Sequence, residues 1–83
     1  MDIQKMYLQH KKWVETAGDS GKQIHLDEID MHIFALEKPI LEQGYFSCCD
    51  FNGIVFNDVD FYQSEFYSCR FQNASFNNCK FRK

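Results

Sequence analysis

The chain of 83 residues has room for one domain, and with 45% hydrophobic and 25% charged residues it reads as globular rather than disordered. No apolar run approaches the roughly 18 residues of a membrane span, and four glycines and one proline exclude a collagen-like or linker composition. The formal net charge is −3 but unevenly spread: residues 1–25 hold four lysines against three acids, residues 26–65 nine acids against Lys38, and residues 66–83 four cations and no acid. An acidic middle argues against direct nucleic-acid binding, which needs a continuous basic surface.

The opening MDIQKMYLQHKK has no basic stretch followed by an apolar one, so a cytoplasmic address is expected, without membrane attachment. Ile3, Met6, Tyr7, His10, Trp13 and Val14 recur at helical spacing and predict an amphipathic helix over 2–16. Asp2 is its expected N-cap, and Gly18 and Gly21 end it in a loop. Residues 1–22 are therefore read as a helix and loop of their own, ahead of a different pattern over 23–83.

That pattern has a period of five. Phenylalanine stands at 46, 51, 56, 61, 66, 71, 76 and 81, and the register extends backwards as Leu41, Leu36, Met31 and Leu26. Two residues ahead of each comes a second, small or apolar set: Ile24, Ile29, Phe34, Pro39, Gly44, Cys49, Ile54, Val59, Ser64, Cys69, Ala74 and Cys79. The other three positions of a unit are mostly polar. Neither a helix nor a flat strand returns a side chain to one face every five residues. A chain that turns a corner at each repeat does. Four corners close a square, and successive squares stack at the inter-strand spacing of about 4.8 Å.

The predicted architecture is an all-β solenoid, a quadrilateral β-helix of about three coils, with the N-terminal helix covering the open apolar end of the first. Its core is Leu26, Met31, Leu36, Leu41, Phe46, Phe51, Phe56, Phe61, Phe66, Phe71, Phe76 and Phe81, stacked in columns such as Leu26/Phe46/Phe66 whose members are four repeats apart. Such an interior is filled by rings and leaves no volume for a substrate. The last coil has no evident C-terminal cap, so its four phenylalanines border an open edge. Arg70, Lys80, Arg82 and Lys83 blunt that edge, and a monomer or weak dimer is expected.

The units Cys49-Asp50-Phe51, Val59-Asp60-Phe61, Cys69-Arg70-Phe71 and Ala74-Ser75-Phe76 resemble the pentapeptide-repeat proteins. The resemblance runs from about position 26 to the C-terminal end, is most specific from 46 onward, and implies a right-handed quadrilateral β-helix. It also implies a candidate role, since some members protect DNA gyrase by imitating duplex DNA. Three coils, however, reach about 14 Å, under half of a DNA turn of about 34 Å.

Chemistry-bearing residues are sparse. Cys48, Cys49, Cys69 and Cys79 form no paired zinc signature, and three of them hold the small inward position, where cysteine acts as a compact apolar residue. His10, His25 and His32 fall on the helix, the first corner and an outer face. No serine or cysteine stands beside a histidine in a catalytic order, and no phosphate loop is present. The expectation is a non-enzymatic protein-binding module with no cofactor and no metal. It acts as a small inhibitor or immunity-type protein that occludes a basic partner protein, such as a toxin or nuclease, through complementary charge. The alternatives are gyrase protection and a scaffold or self-association role. The candidate contact residues are Tyr45, Asp50, Asp58, Asp60, Tyr62, Glu65 and Tyr67, because tyrosine buries area at little entropic cost and the acids suit a basic partner.

Overall fold

A computed structural model describes residues 2–34 and 38–81. The N-terminal helix α1 spans Ile3–Glu15, and the Asp2 carboxylate accepts the Lys5 N–H at 3.1 Å, as an N-cap should. Gly18 and Gly21 then turn the chain with φ of +91° and +79°. A Cβ on Gly21 would run into the Gln9 carbonyl oxygen and lie 2.6 Å from the Trp13 nitrogen, so only glycine lets the loop close on the helix.

Five three-residue strands follow: β1 His25–Asp27, β2 Tyr45–Ser47, β3 Val55–Asn57, β4 Glu65–Tyr67 and β5 Ser75–Asn77. All pair in parallel. The β1-β2-β4 sheet aligns Leu26, Phe46 and Phe66, and the β3-β5 sheet aligns Phe56 and Phe76. Between the sheets run ladders of single bridges, Asp30–Asp50–Arg70 and Asp60–Lys80. Every register is offset by four repeats, the spacing that one corner per repeat requires. The middle residue of each strand points inward and its two neighbours outward.

The corners explain the third regularity of the unit. Glu28, Gln43, Cys48, Gly53, Asp58, Gln63, Ser68, Asn73 and Asn78, each two residues after a core position, all have φ between +53° and +69°. Most are small or polar residues, and four are Asn, Asp or Gly, which tolerate the left-handed region best. Alternate corners are closed by i+3 bonds: Gly44 N–H to Leu41 O, Ile54 to Phe51, Ser64 to Phe61 and Ala74 to Phe71, at 3.0–3.2 Å.

The regular geometry begins at Leu26 but is interrupted one repeat later. After the Asp30–Asp50 bridge, Met31–Phe34 form a 3-10 helix instead of the usual corner. Ile33 stands where the unit needs a positive φ, and a β-branched residue resists that conformation. Met31 and Phe34 still turn inward and are buried.

Leu26, Met31, Leu41, Phe46, Phe51, Phe56 and Phe61 are fully buried, while Leu36 lies outside the described residues. The final column members depart from the expected core. Phe66 and Phe76 are half-buried, and Phe71 and Phe81 remain 41% and 52% exposed. Their rings do face inward, stacked on Phe51 at 4.8 Å and on Phe61 at 5.0 Å. No further described layer lies above them to exclude water.

The second inward set does more than save space. The Cys49, Cys69 and Cys79 thiols and the Ser64 hydroxyl each donate to a carbonyl of the preceding coil, those of Leu26, Phe46, Phe56 and Leu41. Burial pushes the Cys49 thiol up from its ordinary value, which makes it a poor nucleophile.

Candidate interaction face

The outward positions of the β1-β2-β4 sheet are His25, Asp27, Tyr45, Ser47, Glu65 and Tyr67. The His25 and Tyr45 rings stack at 5.0 Å, and Tyr45 and Tyr67 meet at 5.1 Å. Three rings therefore run diagonally across three strands. Parallel in-register pairing puts equivalent residues of successive coils one strand spacing apart, which brings rings into contact. The Tyr67 hydroxyl donates to Glu65 Oε1 at 2.8 Å, and that carboxylate pushes the phenol pKa up from its usual value.

Charge on this sheet has one sign. The segments 24–28, 44–48 and 64–68 contain Asp27, Glu28 and Glu65 and no lysine or arginine. Elsewhere two of the acids are answered by a cation. Arg70 lies 3.9 Å from Asp50, and Lys38 lies 3.7 Å from Asp58. Exposed pairs of this kind add little to stability, but they dilute the negative field.

The expected contact residues are thus only partly brought together. Tyr45, Glu65 and Tyr67 share the β1-β2-β4 sheet. Asp50 sits on the bridge ladder beside it, Asp58 at a corner after β3, and Asp60 on the other ladder. Asp50 and Asp60 also serve the backbone locally. Each side chain accepts the N–H two residues on, from Asn52 at 2.8 Å and from Tyr62 at 2.9 Å. Asp30 does the same for His32, and that bond holds its carboxyl below the ordinary value. These are Asx turns that help the chain leave the bridge. Tyr62 follows one of them, and its ring joins none of the aromatic pairs among the described residues. The sequence reading missed His25 as a contact residue. Its signal was present, because position 25 is the equivalent of Tyr45 in the preceding coil.

One surface feature was not foreseen. Between α1 and the segments 33–34 and 38–40 lies an open groove of about 990 Å³, lined by apolar Ile3, Tyr7, Leu8, Ile33, Phe34 and Ile40 with Lys11 and Lys38 among its polar groups. The solenoid interior is filled with rings, but the helix does not seal flush against this flank. The Tyr7 hydroxyl there accepts the Ile40 N–H at 3.0 Å. Among the described residues, no three His, Cys, Asp or Glu side chains gather as a metal site would require. No described helix is long and apolar enough to cross a membrane.

Parallel strands in a register of one coil, left-handed corners at each repeat and a stacked phenylalanine core define a parallel β-solenoid. The family model for pentapeptide repeats matches residues 45–82 in eight copies, and this part of the chain is a pentapeptide-repeat solenoid. Comparison with curated proteins and with solved structures gives no match.

Proposed function

We propose that the protein is a non-enzymatic binding module that occludes a basic partner protein, as an inhibitor or immunity-type protein does to a toxin or nuclease. The β1-β2-β4 sheet is its contact surface. The observation that carries this reading is the stacked His25–Tyr45–Tyr67 ladder set among Asp27, Glu28 and Glu65, on a sheet without lysine or arginine. Stacked rings hold their conformation before a partner arrives, which lowers the ordering cost of docking. Their faces take guanidinium and ammonium groups, and the surrounding carboxylates steer such groups inward. The fold that presents this sheet is a right-handed quadrilateral of about three coils, acting in the cytoplasm as a monomer or weak dimer.

The test is affinity capture from the native host, followed by calorimetry on the purified partner. A basic protein bound with a salt-dependent Kd is expected. Tyr45→Ala and Tyr67→Ala should each weaken it about tenfold or more, in the range of hot-spot truncations, and Glu65→Lys should slow association. Full affinity in these three variants, with loss in Asn77→Lys on the β3-β5 sheet, would refute the assignment.

A further inference from the structure

We propose that His10 is an acid-operated latch that holds the capping helix α1 on the solenoid. The side chain is fully buried although it is polar. Its Nδ1 accepts the Ile24 N–H at 3.0 Å, and its Nε2 lies 2.9 Å from the Glu42 carbonyl oxygen. A backbone N–H only donates and a carbonyl only accepts, so the partners fix the neutral tautomer with the proton on Nε2. A second proton has one place to go, Nδ1, where it would meet the Ile24 N–H head-on. Protonation therefore replaces a bond by a donor–donor clash and leaves a charge in a dry site.

The latch joins three parts of the chain. Ile24 leads into β1 and Glu42 precedes β2, while Tyr45 N–H bonds Ile24 O at 3.0 Å and the Gln23 side-chain amide donates to Gln43 O at 2.6 Å. His10 thus ties the helix to the start and the end of the first coil at once. The loop adds one backbone bond, Lys22 N–H to Gln9 O at 3.0 Å. When the imidazole charges, α1 keeps the Tyr7–Ile40 bond at its other end but loses its buried polar anchor, and the Ile24 that His10 covers becomes accessible.

Few charged groups surround the site. From the solenoid side comes Glu42, whose carboxyl is pushed up by burial and by Asp60. On the helix, Lys11 and Lys12 are exposed, and so is Lys22 in the loop. No ion pair reaches His10 among the described residues. Burial holds the His10 pKa below its ordinary 6.5, against a smaller opposing effect of the Glu42 carbonyl. A folded value below the unfolded one means that stability is complete above about pH 6.5 and declines as pH falls towards the folded value. Glu42 has the opposite sign, since a raised carboxyl regains stability on protonation. That gain runs from its raised value down to the ordinary 4.5 and opposes the loss from His10, so His10→Gln, which keeps Glu42, isolates the histidine's share.

Trp13, the one tryptophan of the chain, stacks on His10 with ring centroids 6.0 Å apart and reports on the latch directly. Titration from about pH 8 to about pH 5 should shift the Trp13 emission to the red and lower the helical ellipticity, while the near-ultraviolet phenylalanine signal persists. In His10→Gln the amide keeps a donor and an acceptor but gains no proton, so both cap signals should stay flat. The same acid transition in His10→Gln, or loss of cap and core signals together in the wild type, would overturn the proposal. Nitrogen-15 imidazole spectra of the wild type provide a test that needs no variant. His10 as the Nε2–H tautomer, titrating below the free-imidazole value near 6.5, supports the latch. The Nδ1–H tautomer or an unshifted titration refutes it.

Discussion

Truncating Phe46 and Phe71 separately tests whether core position or ring chemistry sets the energetics. The two residues occupy equivalent positions in the repeat, one layer and one corner apart. Phe46 is wholly buried, stacked on Phe66 at 5.3 Å and edge-on to Phe51 at 5.9 Å. Phe71 stacks on Phe51 at 4.8 Å but leaves 41% of its surface in water. Phe46→Ala opens a cavity that layers above and below cannot fill, and the expected loss is about 3–5 kcal/mol. Phe71→Ala forfeits only the buried share of a burial term of about 2–3 kcal/mol and opens no closed cavity, so about 1–2 kcal/mol is expected. A small domain is stable by about 5–15 kcal/mol in all, so the first variant should sit close to unfolding while the second remains folded. Urea titrations followed by near-ultraviolet ellipticity would read both, with the midpoint compared at unchanged slope. Equal losses, or a larger one at Phe71, would show that a further layer covers the last one in solution.

The corners and walls yield two further contrasts. Gly44 has a Phe46 ring carbon 2.7 Å from where a Cβ would stand, so Gly44→Ala should cost about 1–3 kcal/mol through overpacking. Gly53, at φ +69° with nothing near its absent Cβ, belongs to a position filled elsewhere by Asn73 and Asn78, and Gly53→Asn should be neutral or raise stability by up to about 1 kcal/mol. Thermal melts of both would check the pair. Phe56→Asp places an unpaired charge in the core and should abolish folding, whereas Val55→Asp, one residue away and 46% exposed, should move stability by no more than about 0.5 kcal/mol. Similar losses at 55 and 56 would contradict the inward and outward assignment.

The solenoid was legible because its core writes itself once per corner. Phenylalanine every fifth residue admits few backbones, and the coil-to-coil registers Leu26–Phe46–Phe66 and Phe56–Phe76 follow from it. The N-cap at Asp2 and the glycine turn were equally local, each readable from a few neighbouring residues. Three features were not. The 3-10 helix at Met31–Phe34 breaks a pattern that Met31 itself obeys, and the exception rests on Ile33 two residues later. The burial of His10 needed the positions of Ile24 and Glu42, which no spacing within the helix encodes. The Asx-turn work of Asp50 and Asp60 is encoded in their place just before a core residue, but an exposed acid there has the same composition as one that meets a partner.

The physics of the repeat also bears on where recognition resides. Three of every five positions are dictated by the fold: a large apolar residue inward, a small residue two before it, and a residue tolerant of positive φ two after. Only the two outward positions flanking the core residue are left free. On the bridge ladders the first of these is taken up by Asp30, Asp50 and Asp60, each bonded to the backbone two residues on. On the β3-β5 sheet Asn57 and Asn77 bond to each other across the layers at 3.0 Å, a pairing that stabilises the stack itself. The β1-β2-β4 sheet differs. His25, Tyr45, Asp27 and Glu65 answer no requirement of the backbone, and polar residues of any kind would satisfy the solenoid there. Aromatic and acidic side chains gathered on three neighbouring strands therefore carry information that folding does not need, which is the physical reason for proposing that sheet as the contact surface.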